Sequence, residues 1–160
     1  NTDHTLVTNQ CALGESESIA TINVTNLSNI GWNTLVPGMM TKDSVRQSIE
    51  VPVQRLDQYF RDKGLHRIAL IKIDTEGYEF PVLKGLSEYL KDSKNTPVFM
   101  VEVAPSAYPL LGLTLLQLRE YMSRFGYRAY SVHRREQIDI TALRETTNVL
   151  FLATDTQKSR

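Results

Sequence analysis

The chain has 160 residues with 18 basic and 18 acidic side chains, so its formal charge at neutral pH is zero. That is the length of one domain, and without net positive charge neither nucleic acid nor an anionic membrane surface is an expected partner. A hydrophobic share of 41% and a charged share of 22% are those of an ordinary globular chain and exclude a disordered or collagen-like one.

The first strand is expected over Thr5 to Leu13, closed by Gly14 and the polar Glu15 to Ser18. Ile19 to Val24 alternates apolar and polar residues, the pattern of a strand with one buried face. Thr25 to Ser48 reads as a loop, yet it carries Trp32, Leu35, Met39 and Met40, so it should dock on the fold or cover a substrate. Glu50 to Arg55 is a short extended piece, and Leu56 to Lys63 a helix stopped by Gly64. Ile68 to Ile73 is almost continuously apolar, as in a central parallel strand covered on both faces. After the turn Asp74-Thr-Glu-Gly77, the residues Phe80, Leu83, Leu86 and Leu90 recur at helical spacing. Pro97 to Val103 is a second apolar strand. Thr114 and Gln117 have capping-box spacing ahead of a helix with Leu115, Leu118, Met122 and Phe125 on one stripe, stopped by Gly126. Tyr127 to Val132 and Thr147 to Thr154 are the last strands, His133 to Glu136 a polar turn, and Asp155 to Arg160 a frayed tail. Strands alternating with helices predict an α/β domain over residues 1–160 with a mostly parallel sheet and an antiparallel C-terminal edge.

In such sheets ligands bind beyond the carboxyl ends of the strands, here Cys11-Ala-Leu13, Asp74-Thr-Glu76 and Glu102-Val-Ala104. Lys72 and Asp74 lie two apart and share a face, and a Lys in an apolar strand needs a charge partner or ligand. Asp74 or Thr75 equally suits a helix cap, with Glu76 at the helix's positive end. Glu102 follows four apolar residues, so it either pairs with Lys72 inside the fold or serves a ligand. Cys11 stands alone, which excludes an internal disulfide or a thiolate cluster and fits a reducing cytoplasm, and no apolar run approaches the ~20 residues of a membrane span. Asn23-Val-Thr25 and Asn26-Leu-Ser28 match the glycosylation spacing and are read as chance in a Thr/Asn/Ser-rich stretch. Metal-protease and P-loop motifs are missing, and no two glycines fall at Gly-x-Gly spacing.

The stretch Leu70-Ile-Lys-Ile-Asp-Thr-Glu-Gly-Tyr-Glu-Phe-Pro-Val-Leu-Lys-Gly85 closely resembles the signature of FkbM-type methyltransferases. Cys11-Ala-Leu-Gly14, Asn29-Ile-Gly-Trp-Asn-Thr-Leu35, Val51-Pro-Val-Gln-Arg-Leu-Asp57 and Val101-Glu-Val103 support the resemblance in order. It implies a Rossmann-like fold, S-adenosylmethionine as cofactor, and methylation of a hydroxyl oxygen on a sugar, other glycan or small natural product. It further implies Ala12 and Leu13 beside the adenine, Asp74 near the methyl donor and acceptor, and Lys72, Glu76 and Glu102 on the acceptor side. Asp74 or Glu102 would accept the hydroxyl proton, with no metal required. Trp32, Met39 and Tyr108 would choose the acceptor.

The family's earlier glycine-rich strand and ribose-holding strand do not occur here, and residue 1 is Asn rather than Met. The chain therefore reads as the C-terminal two-thirds of the domain, with the N-terminal βα units missing and cofactor binding dependent on them. The alternative is a shortened, non-catalytic binding or assembly module. Either version predicts exposed apolar strand faces and self-association into a homo-oligomer.

Overall fold

A computed structural model describes residues 6–25, 31–92, 96–134 and 136–154. Thr5, the Asn26-Leu-Ser28 triplet, the Asn29-Ile30 start of one family block, and the tail from Asp155 to Arg160 lie outside them. Two mixed sheets carry the fold. In the first, β1 (Ala12–Leu13) runs parallel to β3 (Val45–Gln54), and β2 (Ser18–Thr25) lies antiparallel on the other side of β3. Only Ala12 and Leu13 of the expected first strand pair, whereas β3 starts five residues before Glu50, inside the expected loop. The exposed pattern of Val45 to Glu50 explains the second difference, because a strand with little burial shows no apolar period.

Next come α1 (Leu56–Asp62), β4 (Leu70–Ile73), α2 (Glu79–Lys84), α3 (Ser87–Asp92) and β5 (Val98–Val103). The chain ends with α4 (Ala107–Leu110), α5 (Leu115–Arg124), β6 (Tyr127–Ser131) and β7 (Thr147–Ala153). The second sheet has the order β4-β5-β7-β6. β4 and β5 are parallel, and β7 is antiparallel to both β5 and β6. β4, β5 and β6 therefore run the same way, so this sheet is mostly parallel as expected; what is corrected is the place of the antiparallel strand, expected at the edge. The chain doubles back after β6 and inserts β7 between β5 and β6, so the reversed strand is internal and β6 is the edge.

The burial of this sheet is one-sided. Ile71, Ile73, Phe99, Val101, Val103, Val149 and Phe151 form the core with Leu83, Leu86, Leu118 and Met122 from the helices. On the opposite face Met100, Glu102, Asn148 and Leu150 are only half-buried, and Lys72 is exposed. The expectation that β4 is a central strand covered on both faces is therefore corrected: among the described residues it is an edge, and Leu70 on its outer face is 57% exposed. α5 starts as expected, with Thr114 Oγ1 accepting from Gln117 N at 3.2 Å and Gln117 Oε1 accepting from Thr114 N at 2.8 Å.

The helix expected over Phe80 to Leu90 is broken in two at Gly85. A Cβ on Gly85 would lie 2.1 Å from the Gly14 carbonyl oxygen, so the backbone after β1 meets the link between α2 and α3 here. Arg55 supports the junction, donating to Asp57 Oδ1 at 3.0 Å and Oδ2 at 2.6 Å, while Asp57 Oδ2 also accepts from Glu88 N at 3.1 Å. The Asp57 side chain is fully buried, so removing its guanidinium partner would strand a charge.

Gly85→Ala should lower stability by about 1–3 kcal/mol through overpacking at this junction. Gly31, with nothing within 4 Å of an added Cβ, supplies the control. Urea unfolding of Gly85→Ala and Gly31→Ala checks this, and equal midpoints would show that the close approach carries no strain.

Candidate active site

The carboxyl ends of β4 and β5 form the site. The parallel register pairs Ile73 with Val101, so one step further Asp74 stands beside Glu102. The chain then turns sharply: Glu76 has a φ of 51° and Gly77 of 101°. This left-handed bend folds Glu76 back, and oxygens of Asp74, Glu76 and Glu102 all lie within 4.8 Å of one another. Lys72 donates a short ion-pairing hydrogen bond to Asp74, as its position two residues earlier on the same face allows. Side chains so placed are the oxygen donors that a hard cation or a hydroxyl proton takes.

Crowding of like charges has the usual consequence. Burial, followed by the charges of Asp74 and Glu76 and a hydrogen bond with Asp74, pushes the Glu102 carboxyl from 4.5 up to about 7. Glu76 is also raised, mainly by burial and then by Asp74. Lys72 is raised by its hydrogen bond to Asp74 and by that residue's charge.

The bend is held from beneath and from the side. Glu79, fully buried at the start of α2, accepts through Oε1 from Gly77 N at 2.8 Å, Thr75 N at 3.1 Å and Thr75 Oγ1 at 3.2 Å. Thr34 Oγ1 donates to the Glu76 carbonyl at 2.7 Å and accepts from Val36 N at 3.0 Å. Thus the expected helix cap at Asp74 or Thr75 is not formed by their side chains: the N-cap of α2 is Tyr78, without a side-chain cap.

A cavity of about 690 Å³ opens beside the cluster. Ala12, Leu13 and their neighbours Asn9 to Cys11 form one wall, Ile22, Ile49 and Val51 to Pro52 another, and Asp74, Thr75 and Tyr78 the floor. Asn33 and Leu35 reach it from the apolar-bearing loop. The structure thus brings Ala12, Leu13 and Asp74 to one cavity, and Lys72, Glu76 and Glu102 to the adjoining cluster. Trp32 is 61% exposed and does not line the cavity. Lys72 is exposed as well, so an internal pair with Glu102 is not its role; its partner is Asp74. Tyr108 is buried and stacks on Phe80 with ring centroids 6.3 Å apart, and Met39 packs on Val36, Ala104 and Ala107. Sequence reasoning gave no role to Glu79, Thr34, Arg55 or Asp57, although each falls inside a quoted family block.

The strands of this α/β fold thus end in a carboxylate cluster next to a cavity, the place where such sheets bind ligands. Residues 1–129 match the model of the methyltransferase FkbM domain, and the chain belongs to that family. It is similar to the methyltransferase sdnD of Sordaria araneosa, 34% identical over 105 residues that cover 49% of this chain and 40% of that relative. The chain therefore spans less than half of that relative's length. No solved structure matches it. Among the described residues no helix is long and apolar enough to cross a membrane.

Because the folded Glu102 carboxyl titrates above its ordinary range, it favours the fold when protonated. That contribution is full below pH 4.5 and is lost as pH rises through about 7. Glu102→Gln should therefore raise the melting temperature at pH 8, with the gain shrinking below pH 5. Thermal melts at both pH values check this, and a gain independent of pH would show that neither burial nor the neighbouring carboxylates raise Glu102.

Proposed function

We propose that the chain forms the acceptor side and part of the donor pocket of an S-adenosylmethionine-dependent O-methyltransferase acting on a hydroxyl of a sugar or small natural product. The observation that carries this reading is the contact between cavity and carboxylate cluster through one shared residue, Asp74. The cavity's largely aliphatic walls and its volume suit a nucleoside with its planar base. Ala12 and Leu13 would hold the adenine side, and Asp74 the side nearest the reacting centre. When bound, the cofactor supplies an electrophilic methyl group.

The chain's own residues would do the rest. Glu102 would take the acceptor's hydroxyl proton as the new carbon–oxygen bond forms. Asp74, paired with Lys72, would orient the hydroxyl, with Glu76 closing the acceptor side and Trp32 contacting the bulk of the acceptor from the rim. Positioning of the two reactants supplies most of the rate in such a displacement. The raised Glu102 carboxyl suits a base working near neutrality, since proton transfer is most effective when the group's pKa is close to the working pH.

A second reading has its own observation. The outer edge of β4 has no strand partner among the described residues, and the face bearing Met100 and Leu150 is incompletely covered. A non-catalytic module would use that edge for assembly, including with another copy of the chain.

Calorimetry with S-adenosylmethionine and its demethylated product, on this chain and on a longer parent, separates the two. The enzyme reading expects binding that Asp74→Ala abolishes; the absence of binding by both proteins would favour the module. With an acceptor in hand, methyl transfer should rise with pH through about 7 as Glu102 loses its proton. Glu102→Gln should remove that limb and lower the rate about 10²- to 10⁴-fold. A pH profile unchanged in that variant would exclude Glu102 as the base.

A further inference from the structure

The turn between β4 and α2 places a strained residue at the centre of the site. Glu76 is the one non-glycine residue with positive φ among the described residues, at 51°, and such a conformation persists only where its surroundings impose it. Three contacts impose it here. Gly77, at φ 101°, is pressed against α4, where an added Cβ would stand 2.4 Å from Ala107 Cβ. Thr34 holds the Glu76 carbonyl from the loop. Glu79 reaches back from α2 and ties Thr75 and Gly77, the residues on either side of Glu76, to a single oxygen.

Of these three, Glu79 is the costly one. Its side chain is fully buried, its second oxygen Oε2 is buried without a hydrogen-bond partner, and the nearby Tyr108 hydroxyl is buried in the same condition. Burial disfavours the charged form of Glu79, offset by the hydrogen bonds from Gly77 and Thr75. A carboxylate with half its capacity unused in an apolar interior is a poor way to gain stability. It is a good way to fix a backbone, because one oxygen draws two amides and a hydroxyl to a common point.

We propose that Glu79 is a positioning residue for the site: through Oε1 it holds Thr75 to Gly77 in the left-handed bend that carries Asp74 and Glu76 up to Glu102. This deepens the methyltransferase reading and rests on it only for the purpose the bend serves. Glu79 touches neither the cavity nor the carboxylate cluster directly and acts through the backbone of its neighbours. The geometry also separates accepting power from charge. Gln retains an oxygen at the same reach, whereas Asp retains the charge but withdraws it by one carbon–carbon bond, ~1.5 Å.

The test uses the 160-residue chain with Glu79→Gln, Glu79→Asp and Glu79→Ala. Solution NMR reads two signatures without any ligand: the three-bond coupling that reports φ at Glu76, and the amide proton shift of Gly77. Thermal melts follow in parallel. The expected result is that Glu79→Asp and Glu79→Ala shift both signatures away from the parent values, while Glu79→Gln keeps them, whatever the order of melting temperatures. If Glu79→Ala does not fold, Glu79→Asp decides. A folded Glu79→Asp with both signatures unchanged overturns the proposal, as does a Glu79→Gln that loses them as fully as Glu79→Asp. Affinity for S-adenosylhomocysteine, read separately, should fall about tenfold or more in Glu79→Asp and hold in Glu79→Gln, the scale expected when a site loosens by about 1 Å. A parent chain that fails to bind that probe counts against the donor-pocket reading for this chain, and the NMR signatures then decide the role of Glu79 alone.

Discussion

Gly14, just after β1, and Gly85, between α2 and α3, approach each other backbone to backbone, and the seating of the first sheet on this helix link depends on that contact. Around it the chain is tied by hydrogen bonds that any separation would break. Gly14 N donates to Gln54 O at 3.0 Å, Asp57 N to Gly85 O at 3.1 Å, and Lys84 pairs with Glu15 at 3.1 Å. Arg55 links the same three stretches, reaching the Glu15 carbonyl, the Asp57 carboxylate and Ser87 Oγ. Tyr78 follows from the same constraint, because its ring lies over Gly14, 3.6 Å from where a Cβ would be, and forms part of the cavity floor. The cavity thus has one wall from the first sheet and a floor from the turn after β4, with Tyr78 joining that floor to Gly14.

The carboxylate cluster is the reverse case, where geometry opposes stability. Three acids converge and one cation answers them, so the fold bears a repulsion that a structural ion-pair network would avoid. Lys72 and Asp74 are both substantially exposed, with side-chain exposures of 52% and 37%, and a pair that wet contributes little to holding the strand. Its clearer effect is on Lys72, which the hydrogen bond to Asp74 raises, while burial and then the charge of Asp74 raise Glu102. One strand end therefore sets the Lys72-paired Asp74 beside a carboxyl poised near neutrality, an arrangement suited to proton transfer.

Legibility in the sequence followed burial. Val98 to Val103 alternates half-buried and buried residues beneath helices, and an apolar run of that kind reads as a strand. Val45 to Glu50 also pairs with β2, with one register shift between Val45 and Gln47, but is mostly exposed, so nothing in its residue types marks it. The order β4-β5-β7-β6 was hidden for a different reason, since the connection from Val132 to Thr146 is compatible with an edge hairpin or with insertion beside β5. At the site, Asp74, Glu76 and Glu102 stood out because acids at the ends of apolar strands are conspicuous. Glu79 and Asp57 did not, because an acid in the first turn of a helix reads as a solvated residue favoured by the helix dipole. Only the fold shows that both point inward, each taking backbone amides that would otherwise be unpaired.

β4 joins these arguments. It carries Lys72 and leads into Asp74, its inner edge is registered on β5 from Leu70 to Ile73, and its outer edge has no strand partner among the described residues. An edge with an exposed Leu70 is one that folded proteins usually pair or cover. The strand's last residues also support the strained bend at Glu76, so freedom at the edge would pass directly to the position of Asp74. Glu79 and Thr34 oppose that freedom from below and from the side, where neither depends on what lies against β4. The bend is therefore anchored to α2 and to the first sheet rather than to the open edge, and the spacing of the three carboxylates can be kept even where β4 is paired on one side.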